Sequence, residues 1–143
     1  LDKMLPEENF SKNSIICTGT HDNDTILGWF ESLPGSNAKG DTLTKSKLLQ
    51  FFQCTKDNIH WKIINYALST AGNMVTIPIQ DILGQSSIAR FNKPGTLSPN
   101  NWSWRMEENN LTQLLKTKLA ELTKRHRRNV YTINISLKEK LES

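Results

Sequence analysis

Two short apolar runs, SIIC at 14–17 and MVTIPI at 74–79, are the stretches of this sequence that read as β-strands, and segments of helical periodicity separate them. Strands joined through helices pair in parallel as βα units and are buried on both faces. Two such units cannot close a sheet. A (β/α)8 barrel takes about 250 residues, and this chain has 143. The pattern therefore fits an α/β fold; if its units belong to such a barrel, the chain is about the last two βα units followed by a C-terminal helix. Chemistry in such barrels sits at the C-terminal ends of the strands, which is where His21, Asp22, Asp81 and the loop from Gly84 onward fall. The chain opens on Leu1 rather than Met, which is read as the sign of a piece of a longer polypeptide.

Between the strands, a polar loop (TGTHDNDT, 18–25) leads into Ile26, Leu27, Trp29 and Phe30, a brief helix that Asn23 or Asp24 is expected to cap and that stops at Pro34 and Gly35. A linker-like stretch at 35–41 precedes a helix capped by Thr42 or Thr44. Leu48, Leu49, Phe51 and Phe52 form its apolar side, and it ends near Cys54. Asp57 is the expected cap of the next helix, with Ile63, Ile64, Ala67, Leu68 and Ala71 on one face and Gly72 and Asn73 closing it. Pro78 is tolerable only at the end of the second strand. Gln80 and Asp81 then lie at a strand exit, where turn and cap chemistry at 82–84 accounts for them without a binding role. Residues 84–101 are rich in Ser, Asn, Pro and Gly and form a loop far longer than the usual 4–6 residues or so. A last helix spans about 111–124, with Leu111, Leu114, Leu115, Leu119 and Leu122 as its stripe. Trp29 and Trp61 are expected in the core, and the alternating Trp102 and Trp104 are read as packing residues of which only one is exposed.

The sequence is 36% hydrophobic and 22% charged, the composition of an ordinary soluble domain. It has no apolar run near the roughly 18–20 residues of a membrane helix and no signal-type opening, so a cytoplasmic protein without a membrane partner is expected. Cys17 and Cys54 could make at most one bridge and are read as free thiols. A net charge of +4 is too small to name a partner. The run from Lys124 to Arg128 could release counterions from a nucleic acid. It has no interleaved aromatic platform, and cations at a helix C-terminus complement its dipole and stay solvated, so no nucleic-acid partner is expected.

The densest polar cluster is His21, Asp22, Asn23 and Asp24. Metal binding, as in metal-dependent phosphohydrolases, needs further histidines, and His60 and His126 stand at no ligand spacing, so no metal is expected. Asp22 and Asp24 would place Cα atoms about 6.6–6.8 Å apart in extended chain, but cleavage of a glycosidic bond needs carboxyls on opposite sides of it. The third reading is structural, with Asp24 or Asn23 as a helix cap and Asp22 closing a turn.

The segment TGTHDNDTILGWF at 18–30 resembles the signature of the 4-alpha-glucanotransferases, the amylomaltase or disproportionating-enzyme family. IPIQDILG at 77–84, ARFNKPGT at 89–96 and NWSWR at 101–105 resemble that family's closing motifs, in order, and the likeness runs from about Leu5 to Arg128. The resemblance implies residues 1–128 as the C-terminal portion of an α-amylase-type barrel, with a tail at 129–143 that it does not reach. It implies a retaining enzyme that moves α-1,4-glucan segments between maltooligosaccharides without a cofactor. Asp22 matches the third carboxylate of the family, on the loop after the seventh strand, where it is a catalytic residue that binds the transferred sugar. The nucleophile and the acid/base would lie upstream, so the segment alone is expected to be inactive. His21 matches the histidine beside that carboxylate, donating to the same sugar or orienting the loop. Asn92 matches a substrate-contacting asparagine after the eighth strand.

Departures touch loop shape: Cys17 stands where a tyrosine is common, Ser86 and Ile88 interrupt a stretch with glycine and an acidic residue, Phe91 replaces methionine, and Asn100 replaces the glycine before the NW pair. They bear on acceptor and chain-length preference more than on reaction type. The rival functions are a non-catalytic glucan-binding module, which would bind oligosaccharide by itself, and a metal-dependent phosphohydrolase, which would carry metal.

Overall fold

β1 (Ile15–Cys17) and β2 (Met74–Thr76) pair in parallel, Ile15 against Met74 and Cys17 against Thr76, in the computed structural model, which describes residues 10–35 and 42–128. The parallel βα arrangement expected from the sequence is present. Most of the 35–41 linker and the whole 129–143 tail lie outside the described residues. The strands are not buried on both faces as expected: Ile15 is 63% and Met74 54% exposed, because among the described residues each strand has only the other beside it. The second strand is also shorter than its apolar run. Pro78 has no N–H to give a ladder and stands, at φ −55°, ψ 139°, as the residue that precedes the next helix. Ile79 therefore opens a short helix, α4 (Ile79–Ile82), and Gln80 and Asp81 sit buried within it rather than at a strand exit.

The helices carry the core. α1 (Ile26–Ser32) is capped by Thr25, not by Asn23 or Asp24: Thr25 is extended and its Oγ1 accepts the Gly28 N–H at 3.0 Å. In α2 (Lys45–Phe52), Thr44 is the cap, accepting from Lys47 N, and Gln53 closes the helix in the left-handed region at φ 47°. Asp57 caps nothing, because residues 56–58 form a 3-10 turn that delivers the chain into α3 (Ile59–Ser69). α3 stops at Ser69, short of Gly72, where the Thr70 hydroxyl donates back to the Ala67 carbonyl; Ala71 is exposed.

α3 is the central element, contacting α1, α2, α4 and α5 (Gln113–Arg125). Its Trp61, Ile64 and Leu68 join Ile26, Ile82 and Leu122 in one apolar cluster, while Ile59 joins Phe30 and Leu48 in a second. Each fully buried side chain of this size contributes roughly 1.5–3 kcal/mol. Two apolar residues expected to be buried are not. Leu114 of α5 is exposed, since only Leu115, Leu119 and Leu122 turn toward the cluster, and Trp29 is 38% exposed beside an apolar groove of about 550 Å³ between β1 and α1–α3. Trp61 is buried as expected.

The basic run also differs from its reading as a solvated helix end. Arg128 reaches across to the end of α3, donating from Nε to Leu68 O at 2.6 Å, from Nη2 to Thr70 O at 2.6 Å and from Nη1 to Gly72 O at 3.0 Å. Three main-chain carbonyls, from the last turn of α3 and the connection that follows it, thus share one guanidinium fork. Cys17 and Cys54 are free thiols.

Candidate functional site

The chain leaves β1 into a loop in which Asn23 Oδ1 accepts from both Thr20 N and Thr20 Oγ1 at 2.8 Å, an arrangement that turns the chain before α1. His21 and Asp22 stand on that turn. The second half of the site comes from the long loop after α4, which is irregular as expected apart from a 3-10 turn at Ser87–Ala89. Asn92 on this loop donates from Nδ2 to Asp22 Oδ1 at 2.7 Å, and His21 Nε2 lies 3.5 Å from Asp22 Oδ2. The three residues singled out in the sequence are therefore brought together. The side chains of His21 and Asp22 are about half exposed, at 58% and 48%, leaving both open to a ligand.

Beneath them lies a cleft of about 360 Å³ lined by His21, Asp24, Gln80, Asp81, Arg90 and Phe91, among others. Asp81, 1% exposed, accepts Ile26 N on Oδ1 at 2.7 Å and the Thr18 hydroxyl on Oδ2 at 2.9 Å. It is cap chemistry, as the sequence reading held, but it caps the start of α1 rather than its own turn at 82–84. Burial pushes the Asp81 carboxyl above its ordinary pKa, against those two hydrogen bonds, which lower it, while the nearby Asp24 charge raises it further.

Asp24 does not cap α1. Its Oδ1 accepts from Thr25 N at 2.8 Å within its own loop, and its Oδ2 accepts from the Ser87 hydroxyl at 2.7 Å, which ties the two loops together. Gly28 makes room for that tie, since a Cβ there would collide with Ser87 Oγ and Asp24 Oδ1. Among the described residues no group of three His, Cys, Asp or Glu is placed to hold a metal ion.

Two further residues border the cluster. Arg90 donates from Nη2 to the Asp22 carbonyl and from Nε to the Asn92 carbonyl, both at 2.8 Å. Trp102, 52% exposed, lies with its ring centroid 5.2 Å from that of His21 and meets Phe91 edge-on at 5.1 Å. Trp102 holds φ at 63°, unusual for a bulky residue, and its N–H donates to Phe91 O at 2.8 Å. Trp104 is half-buried and donates its indole N–H to Gln85, so one of the pair is exposed, as expected. No spacing rule distinguishes Arg90 from other surface arginines; only its place in the ARFN motif set it beside Asn92.

As a set, a carboxylate, an imidazole and a primary amide offer acceptors and donors to vicinal hydroxyls, with an indole face alongside. The fold matches that of a solved structure, the amylomaltase of Streptococcus agalactiae in complex with acarbose, at a TM-score of 0.75 and 29% identity, over 87% of this chain and 24% of that one. The fold is thus of the amylomaltase class, with mixed α/β content.

The family model described as 4-alpha-glucanotransferase matches residues 2–112, and this chain belongs to that family. It is 35% identical over 129 residues to the 4-alpha-glucanotransferase of Synechocystis sp., covering 90% of this chain and 24% of that protein. To the Clostridium butyricum 4-alpha-glucanotransferase it is 38% identical over 117 residues, covering 81% of this chain and 23% of the relative. The chain spans about a quarter of the length of these curated relatives. No helix among the described residues is long and apolar enough to cross a membrane.

Proposed function

We propose that residues 1–128 are the C-terminal portion of a 4-alpha-glucanotransferase barrel, and that the complete enzyme transfers α-1,4-glucan segments between maltooligosaccharides in the cytoplasm. The reaction is a retaining double displacement. One carboxylate attacks the anomeric carbon while an acid protonates the departing glycosidic oxygen; the incoming 4-hydroxyl then gives its proton to the same group, now a base, and displaces the enzyme carboxylate. Both of those groups lie outside this segment, which is inactive without them.

Asp22 does neither job. Its ionised carboxylate accepts hydrogen bonds from ring hydroxyls of the sugar being transferred, bonds that strengthen as the ring flattens toward an oxocarbenium-like state. His21 donates to the same sugar, and Asn92 orients the carboxylate while its amide oxygen and second N–H remain available to neighbouring hydroxyls. The observation that carries this reading is the convergence of His21, Asp22 and Asn92 at 3.5 and 2.7 Å from two loops far apart in sequence. Its likeness in fold to an amylomaltase whose structure holds acarbose supports an α-glucan ligand.

Asp22→Asn in the complete enzyme tests it, with maltotriose disproportionation as the readout. Loss of about 10³-fold or more in turnover is expected. Activity within about threefold of the parent, under 1 kcal/mol, would remove Asp22 from the catalytic set. Disproportionation by this 143-residue polypeptide alone would overturn the assignment of nucleophile and acid/base to another part of the enzyme.

A further inference from the structure

Arg90 follows the 3-10 turn at Ser87–Ala89, whose Ala89 is buried, and its extended backbone (φ −55°, ψ 133°) sends the side chain back toward the loop after β1. There the guanidinium meets three groups. Nη2 donates to the Asp22 carbonyl and Nε to the Asn92 carbonyl, each at 2.8 Å, and Nη1 stands 3.9 Å from Asp24 Oδ2. A guanidinium is planar, and its donors leave at fixed angles. One rigid plate therefore holds the main chains of the two residues whose side chains meet at 2.7 Å.

We propose that Arg90 is a positioning residue for the sugar-binding site: it fixes the separation of Asp22 and Asn92 through their backbone carbonyls, without itself touching the sugar. This rests on the site proposed above. The rest of the junction explains why an arginine is needed. Asp24 and Ser87 already tie the same two loops by their side chains, so the loops would remain neighbours without Arg90. What would be lost is the angular register that aims one carboxylate and one amide at a common point. Transition-state hydrogen bonds are sensitive to that register, and a misplacement of about 1 Å can cost on the order of 10²-fold. Lysine would keep the charge opposite Asp24 but offer a single flexible ammonium in place of a two-pronged fork.

The test uses the full-length enzyme with Arg90→Lys and Arg90→Ala, maltotriose as substrate, and Arg128→Ala as a control that loses three main-chain hydrogen bonds at the end of α3. Both Arg90 variants should lose about 10- to 100-fold in kcat with KM changed by less than about threefold. Lysine should not rescue, and millimolar guanidinium should restore part of the rate to Arg90→Ala alone. The inference is overturned if Arg90→Lys keeps kcat within about threefold of the parent, or if Arg128→Ala with an equal drop in melting temperature loses as much kcat. Should Arg90→Ala fail to fold, Arg90→Lys decides by itself. Full activity in Asp22→Asn would instead bring down the reading of the site. Loss in Asp22→Asn without loss in Arg90→Lys brings down the positioning role alone.

Discussion

The Nδ2 of Asn92 donates to Oδ1 of Asp22 at 2.7 Å across 70 positions of chain, and this one bond joins the two loops at the point where the polar cluster faces solvent. Asn92→Asp would replace the donor by a second carboxylate at the same distance. Two like charges that close cannot both stay ionised at low cost, so the pair would hold a proton into a higher pH range. In the complete enzyme this variant should be nearly inactive at neutral pH and regain part of its activity on acidification. An unshifted pH–rate profile would show that the two side chains do not share a hydrogen bond in solution.

Gly28→Ala separates two opposing effects. Helix propensity alone favours alanine by about 1 kcal/mol. The added methyl would occupy the space of the Asp24–Ser87 hydrogen bond, and breaking or displacing that tie should outweigh the gain, leaving the protein about 1–2 kcal/mol less stable. A urea-denaturation midpoint that rises in the variant would contradict the packing described.

His60 gives the fold an acid-side weakness. It is 8% exposed, its Nδ1 has no hydrogen-bond partner among the described residues, and Gly84, at φ 62°, packs against its ring. Burial, with a smaller contribution from the Lys118 charge, lowers its pKa from 6.5 to about 4. Between those values the unfolded chain takes up a proton that the native chain does not. The native advantage is therefore complete above pH 6.5 and is lost progressively as pH falls toward 4, by about 3 kcal/mol in all. His60→Met should flatten that part of the stability–pH curve; a curve of unchanged slope between pH 4 and 6.5 would refute the assignment.

Arg128→Ala removes all three bonds to Leu68, Thr70 and Gly72. A loss of about 2 kcal/mol is expected, since bonds from a charged donor are the stronger kind and the carbonyls left behind are only partly reached by water. Thermal unfolding of the parent and the variant at equal concentration measures it, and equal midpoints would deny the clamp any weight.

Local chemistry was legible in the sequence and long-range pairing was not. Thr44 as a cap, the α3 face carrying Ile64 and Leu68, and the parallel strands all follow from periodicity and side-chain type within a few residues. The grouping of His21, Asp22 and Asn92 came from motif resemblance, since nothing in the spacing of residue 22 and residue 92 predicts a contact. Asp81 shows the limit most clearly. An aspartate after an apolar run reads as a cap for its own turn, yet its partners are Thr18 and Ile26, 63 and 55 positions earlier in the chain. Pro78 misled for a related reason: composition continued the strand to Ile79, while a single missing N–H turned the chain three residues sooner. Trp29 and Leu114 are large and apolar, which favours the core, yet both are exposed where the described residues supply no neighbour.

The Arg128 clamp has a practical bearing on where this protein can be cut. The family match stops at residue 112, yet the guanidinium that fastens the exit of α3 lies 16 positions further on, beyond a whole helix whose Leu122 belongs to the main apolar cluster. A clone trimmed to the recognisable motif would keep His21, Asp22 and Asn92 and still discard the buckle behind them.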